Sequence, residues 1–116
     1  MGEKKFGKNC RLCYSKEFQF LFRKGYRFRT GHFVVLTALN QSHQARLGVI
    51  IPKKALKLST QRHRLKRIVR ESFRLHQDNL KGCDIIIMMK TREYSSTLAR
   101  PTLEQIWAKI NRRHCA

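Results

Sequence analysis

The chain has 116 residues, of which 26 are Lys or Arg and only 7 are Asp or Glu, so its formal net charge is +19. The length fits one domain, predicted to span 1–116, and 41% hydrophobic residues can form a core, which excludes a disordered or low-complexity chain. Because a folded domain this basic repels itself, the charge indicates a polyanionic partner, with nucleic acid favoured over an anionic membrane surface.

The start of the chain shows no targeting signal, and we expect residues 1–9 to form a basic, flexible tail. It lacks the apolar core of a signal peptide and the Ser or Thr of a myristoylation signal. The longest apolar run, 85–89, is far shorter than the ~20 residues that span a membrane. We therefore predict a cytoplasmic protein without a membrane partner.

Cys10 and Cys13 form a CxxC pair, a spacing found in zinc sites and in redox motifs. Zinc would need a second close pair, whereas Cys83 and Cys115 are distant, although His114 adjoins Cys115. A redox motif would follow a strand, and no strand is predicted before this pair. We interpret the four cysteines as reduced thiols and predict no metal site, although metal binding by the pair stays open.

The first predicted element is a short helix, Ser15–Lys24, which Ser15 can cap and Gly25 can end. Its apolar residues recur at three- and four-residue spacing and so share one face. These residues are Tyr14, Phe18, Leu21 and Phe22.

Three predicted strands follow the helix, at Tyr26–Thr30, Phe33–Leu39 and 46–51. The first alternates aromatic and basic residues, and the second is a continuous apolar run. Short turns connect the three segments, which predicts an antiparallel meander, and Pro52 ends the third strand.

The second half of the chain reads as helix, strand and helix. Ser59 and Thr60 are candidate caps for a helix that runs to about Gln77. A buried strand is predicted at 83–90, and Pro101 suits the first turn of a last helix. The element order α-β-β-β-α-β-α predicts an α+β domain with helices packed on a small sheet.

The segment 62–74, RHRLKRIVRESFR, carries the most informative pattern in the chain. At ~100° per residue, one side of this helix is predicted to face the core. That side comprises Leu65, Ile68, Val69, Ser72, Leu75 and His76, with Phe73 and Arg64 at its two borders. The other side is predicted to be cationic and comprises Arg62, His63, Lys66, Arg67, Arg70 and Arg74.

Such a cationic side is not typical of an ordinary solvated helix surface. Like charges at i,i+4 destabilise a helix, so solvated surfaces usually mix signs. Arginine also suits forked contacts to phosphates. Lys53, Lys54 and Lys57 extend the positive charge toward the helix N-terminus, which itself attracts anions. The pattern therefore predicts a nucleic-acid-binding helix.

At this helix the chain resembles the protein subunit of bacterial ribonuclease P. That family carries an Arg-Asn-Arg-type signature here, followed by an Arg-Glu-x-Phe-Arg-like stretch, and His63 stands where the family usually has Asn. The resemblance covers roughly residues 11–113. It also includes Arg11-Leu12, the stretch 16–22, the stretch 46–49 with Lys53-Lys54, and the stretch 84–87 with Lys90.

The resemblance implies a protein cofactor for a ribozyme. The RNA subunit of the family cuts precursor tRNA at the 5′ leader with bound Mg²⁺, so we expect no catalytic residue in this chain and no obligate protein partner. The expected contacts to the RNA subunit are Lys53, Arg62, His63, Arg64, Lys66, Arg67, Arg70 and Arg74. The expected leader cleft, between the first helix and the sheet, is formed by Phe18, Phe22, Val34, Leu36, Ile50 and Lys54.

The resemblance also implies a specific fold. It is a two-layer sandwich with a four-stranded sheet, in which a left-handed crossover leads from the third strand through the basic helix to a parallel fourth strand. That handedness departs from the usual right-handed rule, so the sequence pattern could not predict it.

Two other functions stay open from the residues alone. A metal nuclease needs converging carboxylates, but the 7 acidic residues are scattered, and the 5 His show no spacing suited to metal-free catalysis. A general RNA- or DNA-binding module, such as a ribosomal protein, is compatible with the composition. The aromatic first helix facing a sheet, combined with the 62–74 signature, favours the ribonuclease P subunit over such a module, although Phe18 and Phe22 also fit ordinary core positions.

Overall fold

The computed structural model describes residues 15–40, 44–89 and 96–115. The predicted tail 1–9, the Cys10–Cys13 pair and Lys90 lie outside these ranges. Three helices and four strands make up the described chain, with a single 3₁₀ turn at Gln77–Asn79. In chain order they are α1 (Ser15–Lys24), β1 (Tyr26–Thr30), β2 (Phe33–Leu39), β3 (Arg46–Ile50), α2 (Ser59–His76), β4 (Cys83–Met89) and α3 (Ser96–Cys115).

The strands form one sheet in the order β1-β2-β4-β3. β2 pairs antiparallel with β1 and with β4, whereas β3 pairs parallel with β4. The predicted meander is therefore wrong at its third strand. All seven residues of β4 are buried, so this strand takes a central position and separates β3 from β2. The four-stranded α+β fold and the parallel β3–β4 pair agree with the resemblance.

The two faces of the sheet pack against different helices, because side chains alternate along each strand. The face with Phe33, Val35 and Ile85 joins α2 and α3 in the main core. The opposite face, with Val34, Leu36, Ile86 and Met88, packs against Leu21 of α1. The sheet with α2 and α3 forms the predicted two layers, and α1 lies across the other side.

Contacts between α2 and α3 fix the rotation of the basic helix. The Trp107 indole Nε1 donates a hydrogen bond of 2.8 Å to Ser72 Oγ, and the Phe73 and Trp107 rings meet edge to face at 5.8 Å. Phe73, predicted at a border, is therefore fully buried, whereas Leu75, predicted in the core, is 52% exposed. Leu65, Val69 and Ser72 are buried as predicted.

Two predicted helix starts need correction. The N-cap of α2 is Leu58, which makes no side-chain capping bond, instead of Ser59 or Thr60. Helix α3 begins at Ser96, so Pro101 lies inside the helix instead of in its first turn. Pro101 has no N–H to donate to the carbonyl of Thr97, so the helix lacks that hydrogen bond, and a proline ring also crowds the carbonyl four residues before it. The remaining boundary differences, such as the last residue of β3, are a single residue.

None of the helices within 15–40, 44–89 and 96–115 combines the length and the apolar character needed to cross a membrane.

Candidate nucleic-acid interface

Helix α2 presents a continuous cationic surface on the side that faces away from the sheet and α3. His63, Arg64 and Arg67 are exposed, and Lys66, Arg70 and Arg74 are half-buried. We call this surface the basic ridge, and its members are His63, Arg64, Lys66, Arg67, Arg70 and Arg74.

Part of the basic ridge carries charge that no other described residue neutralises. Arg64, Lys66 and Arg67 make no hydrogen bond or ion pair in the part of the chain that the structure describes, whereas Arg70 and Arg74 do have partners. Glu71 is the one acidic residue of α2, and it is exposed. These three cations are therefore available to phosphates, the anions that guanidinium groups bind through paired hydrogen bonds.

Arg62 differs from the rest of the cations predicted to contact RNA. Its Nη1 donates two hydrogen bonds of 2.8 Å, one to the carbonyl of Leu56 and one to that of Lys57. The side chain is half-buried and folds back on the segment between β3 and α2. Arg62 thus holds this segment against the helix, and only its Nε and Nη2 groups remain for another contact.

The start of α2 forms a second part of the cationic surface. Lys53, Lys54 and Lys57 are all exposed in the segment that leads into the helix. The Leu58 N-cap supplies no side-chain acceptor, so side-chain capping does not satisfy the first backbone N–H groups of α2. A helix N-terminus without a capping acceptor, flanked by lysines, favours a bound anion such as a phosphate.

The predicted cleft residues come together on the α1 side of the sheet, but they differ in accessibility. Val34 and Leu36 are only 5% and 1% exposed, because Leu21 of α1 packs on them. Phe18 and Ile50 are half-buried at the border of this cluster. The apolar cluster therefore offers a ligand its border residues, whereas its centre is already used for packing.

Two further predicted residues lie near the open border of the cleft. Phe22 is one helical turn after Phe18, on the same side of α1, and is 48% exposed. Lys54 is exposed beyond the end of β3. Together with Phe18 and Ile50 they supply the accessible part of the cleft, which combines aromatic, aliphatic and cationic groups.

Arg27 and Arg29 were not among the predicted site residues, but they also lie on this face. In the β1–β2 register Arg27 is opposite Leu36 and Arg29 is opposite Val34, so all four side chains point to the α1 side of the sheet. Both arginines are exposed. The alternation of aromatic and basic residues in Tyr26–Thr30 was the signal that could have identified them, since its aromatic half faces the main core.

The acidic residue on this face is already paired. Asp84 accepts bonds of 2.8 Å from Nε and Nη2 of Arg46, and a bond of 2.7 Å from Asn40 Nδ2. Asp84 is 8% exposed, so the paired carboxylate is largely shielded from solvent. This forked pair links β3 to β4 and removes one source of repulsion toward an anionic ligand.

Among the residues that the structure describes, no three His, Cys, Asp or Glu side chains are grouped so that they could hold a metal ion. Cys83 is a buried thiol in β4. Cys10 and Cys13 lie outside the described residues, so the interpretation of that pair stays a prediction.

Comparisons with known proteins agree on one family. The Ribonuclease P family profile matches residues 6–111. The Ribonuclease P protein component of Pseudoalteromonas translucida is 36% identical over 110 residues, which cover 93% of this chain and 79% of the relative. A mutant RNase P protein of Staphylococcus aureus matches with a TM-score of 0.79 and 27% identity, over 88% of each chain. The RNase P protein of Thermotoga maritima has a TM-score of 0.69 and 28% identity, and the match covers 88% of this chain and 96% of the other. The chain therefore belongs to the ribonuclease P protein family.

Proposed function

We propose that this protein, a ribonuclease P protein component that serves as cofactor in tRNA 5′ processing, uses two surfaces for two RNAs. The basic ridge and the start of α2 bind the catalytic RNA subunit. The cleft between α1 and the sheet binds the single-stranded 5′ leader of precursor tRNA. The observation that carries this proposal is the set of outward, unneutralised cations on α2, namely Arg64, Lys66 and Arg67.

Binding of the RNA subunit follows from the electrostatics of the basic ridge. Each phosphate that a Lys or Arg neutralises releases condensed counterions, which makes affinity high at low salt and steeply dependent on salt concentration. Guanidinium groups on a rigid helix are also preorganised for paired contacts to phosphate or to guanine edges. A structured RNA offers both kinds of acceptor along one helix.

Binding of the leader follows from the mixed character of the cleft. The exposed portions of Phe18 and Phe22 can stack on bases whatever their sequence, and Arg27, Arg29 and Lys54 can contact the backbone. Aromatic residues that stack on splayed-out bases are a common means of binding single-stranded RNA, and here they lie on α1 beside the sheet. Contacts of this kind tolerate sequence variation, which suits a leader that differs from one tRNA to the next.

Catalysis is assigned to the RNA subunit with Mg²⁺, following the family resemblance. In this arrangement Mg²⁺ is bound mainly by the RNA, and the protein contributes binding surfaces and no reacting group. Protein cations that neutralise phosphates also reduce the repulsion between the RNA subunit and its substrate. We further propose that the protein works in the cytoplasm and requires no protein partner.

Reconstitution tests the proposal directly. The chain is mixed with a bacterial ribonuclease P RNA and labelled precursor tRNA at low Mg²⁺, where repulsion between the RNAs is strongest. We expect leader removal to be faster than with the RNA alone, and no cleavage by the protein alone. An absence of any stimulation would contradict the cofactor function, whereas cleavage by the protein alone would indicate an intrinsic nuclease.

A matched binding experiment addresses the alternative of a general RNA-binding module. The affinity for the ribonuclease P RNA is compared with that for an unrelated structured RNA of similar length at the same salt concentration. We expect clearly tighter binding to the ribonuclease P RNA, and equal affinities would support the general module instead.

A further inference from the structure

The outward side of α1 carries a second aromatic and basic surface, separate from the leader cleft. Phe20 is 53% exposed there, whereas Phe18 and Leu21 of the same helix pack toward the sheet. Phe20 lies in a shallow recess of about 380 Å³ that is open to solvent and formed by side chains of α1 alone. We call this recess the α1 outer site, and it is lined by Lys16, Gln19, Phe20, Arg23 and Lys24.

Helix stability accounts for only part of this arrangement. Arg23 and Lys24 lie in the last turn of α1, where the helix dipole favours positive charge. Lys16 lies in the first turn, where the dipole disfavours it. A single exposed apolar side chain is ordinary, but Phe20 stands one turn from Lys16 and one turn from Lys24, so cations flank its ring on both sides. The exposed ring and Lys16 therefore need another explanation.

We propose that the α1 outer site binds an unpaired nucleotide of the RNA subunit, with the base stacked on Phe20 and the neighbouring phosphates held by Lys16, Arg23 and Lys24. This inference rests on the proposed function, since it takes the RNA subunit as the partner. Aromatic side chains flanked by cations are the usual means of binding single-stranded nucleic acid. A duplex would offer phosphates to the cations but no open base to the ring.

The position of the site argues for the RNA subunit over the leader. The leader cleft lies between α1 and the sheet, and a helix with its side chains is about 10–12 Å across. A strand held in the cleft is therefore separated from Phe20 by the whole width of α1. A second copy of this chain is disfavoured as occupant, because each copy carries a net charge of +19.

The test measures affinity for the RNA subunit alone, without tRNA. We expect Phe20→Ala to weaken binding roughly five- to a hundredfold, the range of a lost stacking contact, and Phe20→Trp to restore it. The dependence of affinity on salt should stay unchanged in Phe20→Ala, because no charge is removed. Lys16→Ala should make the dependence on salt shallower, with the magnitude of the slope of log affinity against log salt reduced by about 1. Leu39→Ala is the matched control, since Leu39 is 61% exposed at the end of β2, and it should bind as the unchanged protein does.

Three results would overturn the inference while leaving the proposed function intact. One is unchanged affinity of Phe20→Ala for the RNA subunit. Another is a loss that arises only with leader-bearing tRNA in the holoenzyme, which would make the leader the occupant. The third is a fall of more than about 5 °C in the melting temperature of Phe20→Ala, which would show that Phe20 packs against the chain itself. Failure of the unchanged protein to bind the RNA subunit would instead overturn the proposed function, and this inference with it.

Discussion

The two faces of the sheet are used in different ways. One is covered by α2 and α3, and its core includes fully buried aromatic residues such as Phe33, Phe73 and Trp107. The other is covered by the ten residues of α1, which leave Phe18 and Ile50 half-exposed. On the first side, which we call the covered side, apolar residues stabilise the fold and the outer surface of the covering helix is left for binding. On the second side, which we call the open side, part of the apolar surface itself remains available for a ligand.

The largest effect should appear in the stability of the covered side. We expect Phe73→Ala to lower the free energy of unfolding by about 3–5 kcal/mol, because it leaves a cavity against Trp107. The matched control on the same helix is Leu75→Ala, which removes a half-exposed side chain and should change stability by less than about 0.5 kcal/mol. Urea denaturation followed by circular dichroism measures both variants. Similar losses for the two would show that α2 is rotated differently from the packing described.

The rotation of α2 shows where sequence reasoning ends. Helical periodicity placed Leu75 on the core side and Phe73 only at its border, whereas the structure buries Phe73 and exposes Leu75. The burial of Phe73 depends on Trp107, which is 34 positions later in the chain and packs beside its ring. Local pattern contains no information about that contact.

Strand order was beyond prediction for the same reason. Each strand was recognisable from its composition, but the short turn before β3 suggested pairing with β2. The parallel pairing of β3 with β4 instead requires a helical crossover, and only the family resemblance implied it. Similarly, the predicted cleft residues lie on one face, yet the burial of Val34 and Leu36 depends on how closely α1 packs. The alternation of aromatic and basic residues in β1 did indicate that Arg27 and Arg29 lie on the face opposite the main core.

The second-largest effect should come from the outer surface of the covered side. Affinity for the RNA subunit falls as salt concentration rises. We expect the double variant Arg64→Ala, Arg67→Ala to make this dependence shallower, with the magnitude of the slope of log affinity against log salt reduced by about 2. If the double variant and the unchanged protein bind equally at 1 M salt, this change in slope makes the variant bind roughly thirtyfold more weakly at physiological salt. Filter binding over a range of salt concentrations measures it. Arg112→Ala, an exposed arginine on α3, is the control, and a slope that falls equally there would indicate a diffuse charge effect instead of a site on α2.

The third effect should come from the open side and should depend on the substrate. We expect Phe18→Ala to reduce holoenzyme affinity for leader-bearing precursor tRNA roughly tenfold, because one stacking contact is lost, and to leave mature tRNA unaffected. The measurement is the ratio of the two dissociation constants. Equal losses for both substrates would show that Phe18 acts only in packing α1 on the sheet.

The smallest effect should come from the edge of the open side, and it separates charge from stacking there. Arg27→Ala removes one exposed cation opposite Leu36 and leaves the apolar cluster in place. We expect about a fivefold loss of affinity for precursor tRNA. The slope of log affinity for leader-bearing precursor tRNA against log salt should become less steep by about 1. Phe18→Ala should leave that slope unchanged, because stacking displaces few counterions. The two variants therefore divide leader binding into an electrostatic part at the sheet edge and a stacking part on α1. If Arg27→Ala changed neither affinity nor slope, the leader would pass over α1 and β3 without reaching β1, and the cleft would be narrower than the exposed surface of the sheet.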